Sequence, residues 1–128
     1  MDKEQLNELS REVVNSAFEV HRKLGPGLLE SVYEKALAYE LRLRCFNVQT
    51  QVVLPVSYKG VDLEMDFWID LLVEEELIIE LKSIKELQDV HFKQTLTYLR
   101  LADKRLALLI NFNVPLFRDG IKRVANNF

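Results

Sequence analysis

The chain has 128 residues, 48% apolar and 29% charged, with 17 Lys and Arg against 20 Asp and Glu for a formal charge of −3. That predicts one domain spanning residues 1–128 with a core of its own, and 4 Gly and 3 Pro do not suit a disordered or fibrous polymer. No apolar run nears the ~18–20 residues of a bilayer span, the opening Met1-Asp2-Lys3-Glu4-Gln5 lacks a secretory pattern, and one cysteine, Cys45, forms no internal disulfide, so a cytoplasmic protein with no membrane partner is expected.

From about Asp2 to Leu24, apolar residues recur at spacings of three and four (Leu6, Leu9, Val13, Ala17, Val20, Leu24), which predicts an amphipathic helix. Asp2 followed by Gln5 resembles a capping box. Gly25-Pro26-Gly27 ends that helix, and a second is expected from about Leu28 to Arg44, with Leu28, Leu29, Val32, Ala36, Tyr39 and Leu43 on its apolar arc. Tyr33 reads as core and Cys45 as packing at the helix end.

Composition then turns β-branched. Gln51 to Tyr58, Val61 to Val73 and Leu77 to Lys82, divided by Lys59-Gly60 and by Glu74-Glu75-Glu76, read as three antiparallel strands in a meander. A helix follows from about Glu86 to Leu101, and then Leu106 to Phe112 is a wholly apolar strand suited to a sheet centre. The tail, with Pro115, Gly120 and Lys122-Arg123, reads as a short irregular end. The expected class is mixed α/β, with an α-β-β-β-α-β core behind an extra N-terminal helix.

Charges inside apolar strands need a reason, because a buried ion is costly unless paired or bound to metal. Glu80 and Lys82 share one face of Ile79-Glu80-Leu81-Lys82, about 7 Å apart. A tight hairpin at Glu74–Glu76 brings Asp70 beside Glu80. Two carboxylates meeting there repel, and a hard divalent cation such as Mg²⁺ or Mn²⁺ removes that cost. A buried Glu80–Lys82 ion pair is the plainer alternative. Glu30 projects between Leu37 and Leu41 on the second helix, where it either completes a metal shell or is a first-turn acid favoured by the helix dipole. Glu34 is the second choice for that role, and Glu40 reads as an ion-pair partner. His91, Gln94 and Tyr98 share one face of the third helix, with His91 expected to be structural.

Asp70 followed by Glu80-x-Lys82 on a hairpin between helices resembles the PD-(D/E)xK nuclease superfamily. A closer resemblance is to the GxxExxY family, through Gly27-Leu28-Leu29-Glu30-Ser31-Val32-Tyr33, Tyr58-Lys59-Gly60, Ile78-Ile79-Glu80-Leu81-Lys82, His91-x-x-Gln94-x-x-x-Tyr98-Leu99 and Leu108-Leu109-Ile110-Asn111-Phe112, over about residues 20–124. The resemblance implies a restriction-endonuclease-like core and a metal-dependent nuclease. It gives Asp70, Glu80 and the backbone carbonyl of Leu81 to the metal, with Glu30 from the helix, and sets Lys82 beside the attacked phosphate. Gln94-x-x-x-Tyr98 is similar to the Gln-x-x-x-Tyr pattern of RecB-like nucleases, where it contacts substrate or the site. One departure stands out: the family pattern has Arg two residues before the metal-binding Asp, and here that residue is Trp68.

Residues 1–82 carry 9 basic and 16 acidic groups and residues 83–128 carry 8 and 4, so the C-terminal third is the side suited to meeting phosphate. The function expected is phosphodiester hydrolysis, of DNA first and RNA second, with a homodimer or partner protein helping so small a chain grip a duplex. The rival expectation is a non-catalytic nucleic-acid-binding or adaptor module on the same scaffold.

Overall fold

The computed structural model describes Met1–Phe128. Asp2 is extended, and its carboxylate accepts from the Gln5 amide at 2.7 Å while the Gln5 side chain accepts from the Asp2 amide at 2.9 Å. This complete capping box satisfies two orphan donors and starts helix α1 (Lys3–Leu24). Leu6, Leu9, Val13, Ala17 and Val20 are buried as expected, and Leu24 at the far end is exposed. Gly25 and Gly27 follow at φ 69° and 97°, where a Cβ is penalised, and the chain reverses there into α2 (Glu30–Leu43).

The face of α2 that packs is not the expected one. Leu28, Leu29, Val32, Tyr39 and Leu43 are exposed, while Tyr33, Leu37, Ala38 and Leu41 are buried. Both arcs are apolar, so periodicity alone cannot choose between them. Tertiary contact chooses: the Tyr33 ring stacks on Phe112 with centroids 4.5 Å apart and planes 5° from parallel. Cys45 likewise departs from expectation, being exposed in a turn at φ 68° beyond the helix.

Five strands follow: β1 (Val48–Tyr58), β2 (Val61–Val73), β3 (Leu77–Lys82), β4 (Leu106–Asn111) and β5 (Ile121–Ala125), with α3 (Asp89–Ala102) between β3 and β4. They lie side by side in sequence order, and every pairing is antiparallel except β3 with β4. That parallel step requires a crossover, which α3 supplies. The mixed α/β class and the expected element order hold. The tail does not: instead of an irregular end, it makes a 3₁₀ turn (Phe117–Asp119) and then β5 at the sheet edge. Ile121-Lys122-Arg123-Val124-Ala125 buries few side chains, and its place is set by backbone bonding to β4, which leaves little apolar pattern to read.

Two cores cover the two faces of the sheet. Leu106, Leu108 and Ile110 of β4 join α1 and α2 side chains, whereas Ala107 and Leu109 join Tyr98 and Leu99 of α3. The period of two thus becomes a three-layer α/β/α arrangement. β1 and β2 outrun the rest. β2 pairs with β3 only from Leu71 to Val73, and residues Val61–Trp68 are exposed on a two-stranded arm that leaves the sheet just above Asp70.

Candidate active site

The β2–β3 ladder runs Val73↔Leu77, Leu72↔Ile78, Leu71↔Ile79, and stops. Asp70 and Glu80 come next, where the strands fork and side chains take over from backbone bonding. The Asp70 amide donates to Glu80 Oε1 at 3.3 Å, and the Leu81 amide donates to Asp70 Oδ2 at 2.8 Å. Donors released by the fork thus find carboxylate oxygens, which satisfies the requirement that buried polar groups be paired. On the other side, Gln51 takes φ 49° and bends β1. Its amide donates to Asp70 Oδ1 at 3.3 Å and also to Glu34 Oε1.

Helix α2 is locked over this fork from its first turn. The Tyr33 hydroxyl donates to the Gly25 carbonyl at 2.6 Å and accepts from the Leu28 amide at 3.1 Å. Ser83, just after β3, donates to the Leu28 carbonyl at 2.5 Å. The turn before Glu30 is therefore pinned to its own helix and to the strand end that carries Lys82. Burying Tyr33, Leu37 and Leu41 also turns their helical neighbours Glu30 and Glu34 towards the sheet. Farther along β3, the Lys82 carbonyl accepts from the Phe112 amide at 3.0 Å. Buried Asn111 holds the next loop by accepting from the Ile84 amide at 3.1 Å and donating to the Ile84 carbonyl at 3.0 Å.

Electrostatics confirm the convergence. Glu80 is 4% exposed. Burial first, and then the Asp70 carboxylate, raise its pKa from 4.5 to about 9, against the opposing pull of the Asp70 amide and of Lys82. The protonated Glu80 carboxyl is also close enough to hydrogen-bond Asp70. Glu30 is raised by burial of its carboxyl and by Asp70, while Lys82 lowers it. Burial raises Glu34 too; the Gln51 hydrogen bond opposes this and Asp70 adds to it. On the opposite side of the sheet, burial and then the charges of Glu80 and Asp70 raise Tyr98, with the neighbouring Gln94 side chain opposing the shift. Four carboxyls thus share one electrostatic environment with two ammonium groups, Lys82 near Glu30 and Glu80 and Lys35 near Glu34, an excess of acid that attracts a cation.

The structure brings Asp70 and Glu80 together at the fork with Lys82 in electrostatic reach, and α2 holds Glu30 and Glu34 close enough to feel Asp70. Tyr98 lies across the sheet on the α3 side, within reach of the Glu80 and Asp70 charges, with exposed Gln94 next to it. His91 stays outside the fork: Nδ1 accepts from the Gln88 amide at 2.9 Å and completes the α3 cap. Glu40 pairs with Arg44 at 2.9 Å. Gln51, which bonds Asp70 and Glu34, and Ser83 and Asn111, which hold the backbone around the end of β3, are residues that the sequence does not single out. The available signal was weak: an amide at the head of a β-branched strand, a hydroxyl just after Glu-x-Lys, and an amide closing an apolar strand.

A family model described as the PD-(D/E)XK nuclease superfamily matches residues 7–124. No curated protein and no solved structure matches the chain.

Proposed function

The chain belongs to the PD-(D/E)XK nuclease superfamily, and on that premise we propose that it hydrolyses phosphodiester bonds of DNA, and of RNA less readily, with a Mg²⁺ or Mn²⁺ ion held by Asp70 and Glu80. The observation that carries this reading is the fork between β2 and β3, where two carboxyls meet beside Lys82 with one of them held protonated by burial. Members of the superfamily generally use divalent metal ions. The donor set fits one. No three His, Cys, Asp or Glu side chains converge closely enough to cage an ion alone. Asp70 and Glu80 would supply two oxygens and solvent most of the rest, a partly hydrated shell of the kind Mg²⁺ accepts, with the Leu81 carbonyl and Glu30 as further ligands that would have to close on the ion.

When bound, such an ion polarises a phosphoryl oxygen and acidifies a water. The protein's own groups do the rest. Lys82 offsets charge developing on the phosphoryl oxygens. Glu30, with Glu34 behind it, orients the attacking water and accepts its proton, a task favoured by a carboxyl that burial makes more basic. Gln94 and Tyr98 donate to phosphate oxygens without changing charge. Within the superfamily we read the chain as GxxExxY-type, a reading supported by Gly27 at φ 97° in the turn before α2 and by Tyr33, whose hydroxyl bonds to that turn. Residues 1–128 then act as one nuclease unit in the cytoplasm; no helix is long and apolar enough to cross a membrane.

The test is cleavage of labelled DNA with Mn²⁺. Asp70→Ala and Lys82→Ala should each lower the rate at least roughly a hundredfold while the fold is kept. Unchanged cleavage in both variants overturns the proposal. Trp68, standing where the family pattern has Arg, favours the second reading of a non-catalytic binding module. That reading gains if calorimetry finds no Mn²⁺ binding at millimolar concentration.

A further inference from the structure

Ile69 packs in the α3-side core with Leu54 and Tyr98. Its neighbour Trp68 therefore projects to the opposite face, the α2 side. The alternation slips by one residue at Asp70, since Leu71 is buried on that side too, and Gln51 ties Asp70 to Glu34 of α2 there. Trp68 thus stands on the same face as Asp70, about 7 Å farther out along the arm. Trp68 is 50% exposed, and its cross-strand partner Val53 is 44% exposed. Pro55 extends this apolar surface by one more step. The arm is poorly suited to gripping a phosphate backbone. Between Val48 and Val73 the only basic residue is Lys59, against Asp62, Glu64, Asp66 and Asp70. A half-exposed indole on an apolar, acid-rimmed surface suits a flat neutral ring better than a chain of phosphates.

We infer that Trp68 stacks on an unpaired nucleobase next to the cleaved phosphate, so that the substrate is single-stranded where it enters the site. The inference rests on the nuclease reading and names its substrate class. In a duplex both faces of each base are covered by its neighbours, and only an unpaired base offers a π-face for stacking. A base held by Trp68 sits one step of the strand from Asp70, so the adjoining phosphate is delivered to the fork without help from the cations of the arm.

Trp68 is the chain's only tryptophan, so its fluorescence reports on this surface alone. Metal-free protein in EDTA is titrated with a thymidine oligonucleotide and, separately, with a blunt duplex of equal length. The single strand should quench the emission to saturation, and the duplex should not. By anisotropy of the labelled strand, Trp68→Ala should weaken single-strand binding roughly tenfold or more, and Trp68→Phe should restore most of it. Equal quenching by duplex, no quenching by either, or unchanged affinity in Trp68→Ala overturns the inference. Emission that shifts with protein concentration alone assigns the surface to a second copy of the chain and overturns it as well. Binding is read without metal, so this outcome is independent of whether Asp70→Ala abolishes cleavage.

Discussion

Replacing Glu80 by glutamine should stabilise the metal-free protein. The native carboxyl, buried and facing Asp70, titrates at about 9, whereas the same group ordinarily titrates at 4.5. Between those values the native state holds a proton that the unfolded chain has released. Stability contributed by this site is therefore fully present below pH 4.5, declines as pH rises, and is gone above about pH 9. At pH 7 the deficit, at about 1.4 kcal/mol per pH unit, comes to about 3 kcal/mol. Glutamine cannot ionise, keeps an oxygen for the Asp70 amide and offers Asp70 a donor, so it reproduces the protonated carboxyl without the cost of taking up a proton. Glu30 and Glu34, raised in the same direction, are common to both proteins and largely cancel. Urea denaturation in EDTA at about pH 5, 7 and 8.5 gives the comparison, provided the m-values match. The variant should gain little at pH 5, about 3 kcal/mol at pH 7, and more at pH 8.5. A variant less stable than wild type at pH 7, or a gain that does not change with pH, would refute the reasoning.

The same proton links metal binding to pH. A cation at Glu80 must displace it, so apparent Mn²⁺ affinity should climb roughly tenfold per pH unit up to about 9, with about one proton released in calorimetry. Binding that is indifferent to pH would remove Glu80 from the ligand set. Tyr33→Phe keeps the stacked ring but removes both hydroxyl bonds to the turn before Glu30, and should cost about 1–3 kcal/mol in denaturation. Its cleavage rate should fall further than its stability alone requires, and an unaffected rate would show that the turn does not set Glu30. Gly120→Ala would put a Cβ 2.0 Å from the Asn111 carbonyl, so β5 must shift. A loss of about 3 kcal/mol or more is expected, and a melting temperature matching wild type would contradict it.

The pairing of Asp70 with Glu80 is legible in the residues because antiparallel strands joined by a tight hairpin have a register that can be counted. Their setting is not. Side chains replace the ladder because β2 leaves β3 at Asp70, and nothing local in Ile69-Asp70-Leu71 announces a fork. The same holds for Glu30: its period on α2 leaves it either at a site or at a favourable helix end, and only the burial of Tyr33, Leu37 and Leu41 turns it to the side where it feels Asp70.

What the sequence determined by itself was the kind and order of its elements from α1 to β4, the antiparallel meander, and the acids and lysine stranded in apolar surroundings. Hydrophobic period, turn residues and caps act between neighbours a few residues apart, so they can be read without coordinates. Tertiary structure alone decided which apolar side of α2 is buried, that the polar tail completes the sheet as β5, that Gln51 joins Asp70 to Glu34, and that Asn111 holds the loop after β3. Those outcomes depend on contacts between residues far apart in the chain, where several local arrangements satisfy the same pattern and packing, backbone pairing and buried-charge cost select one.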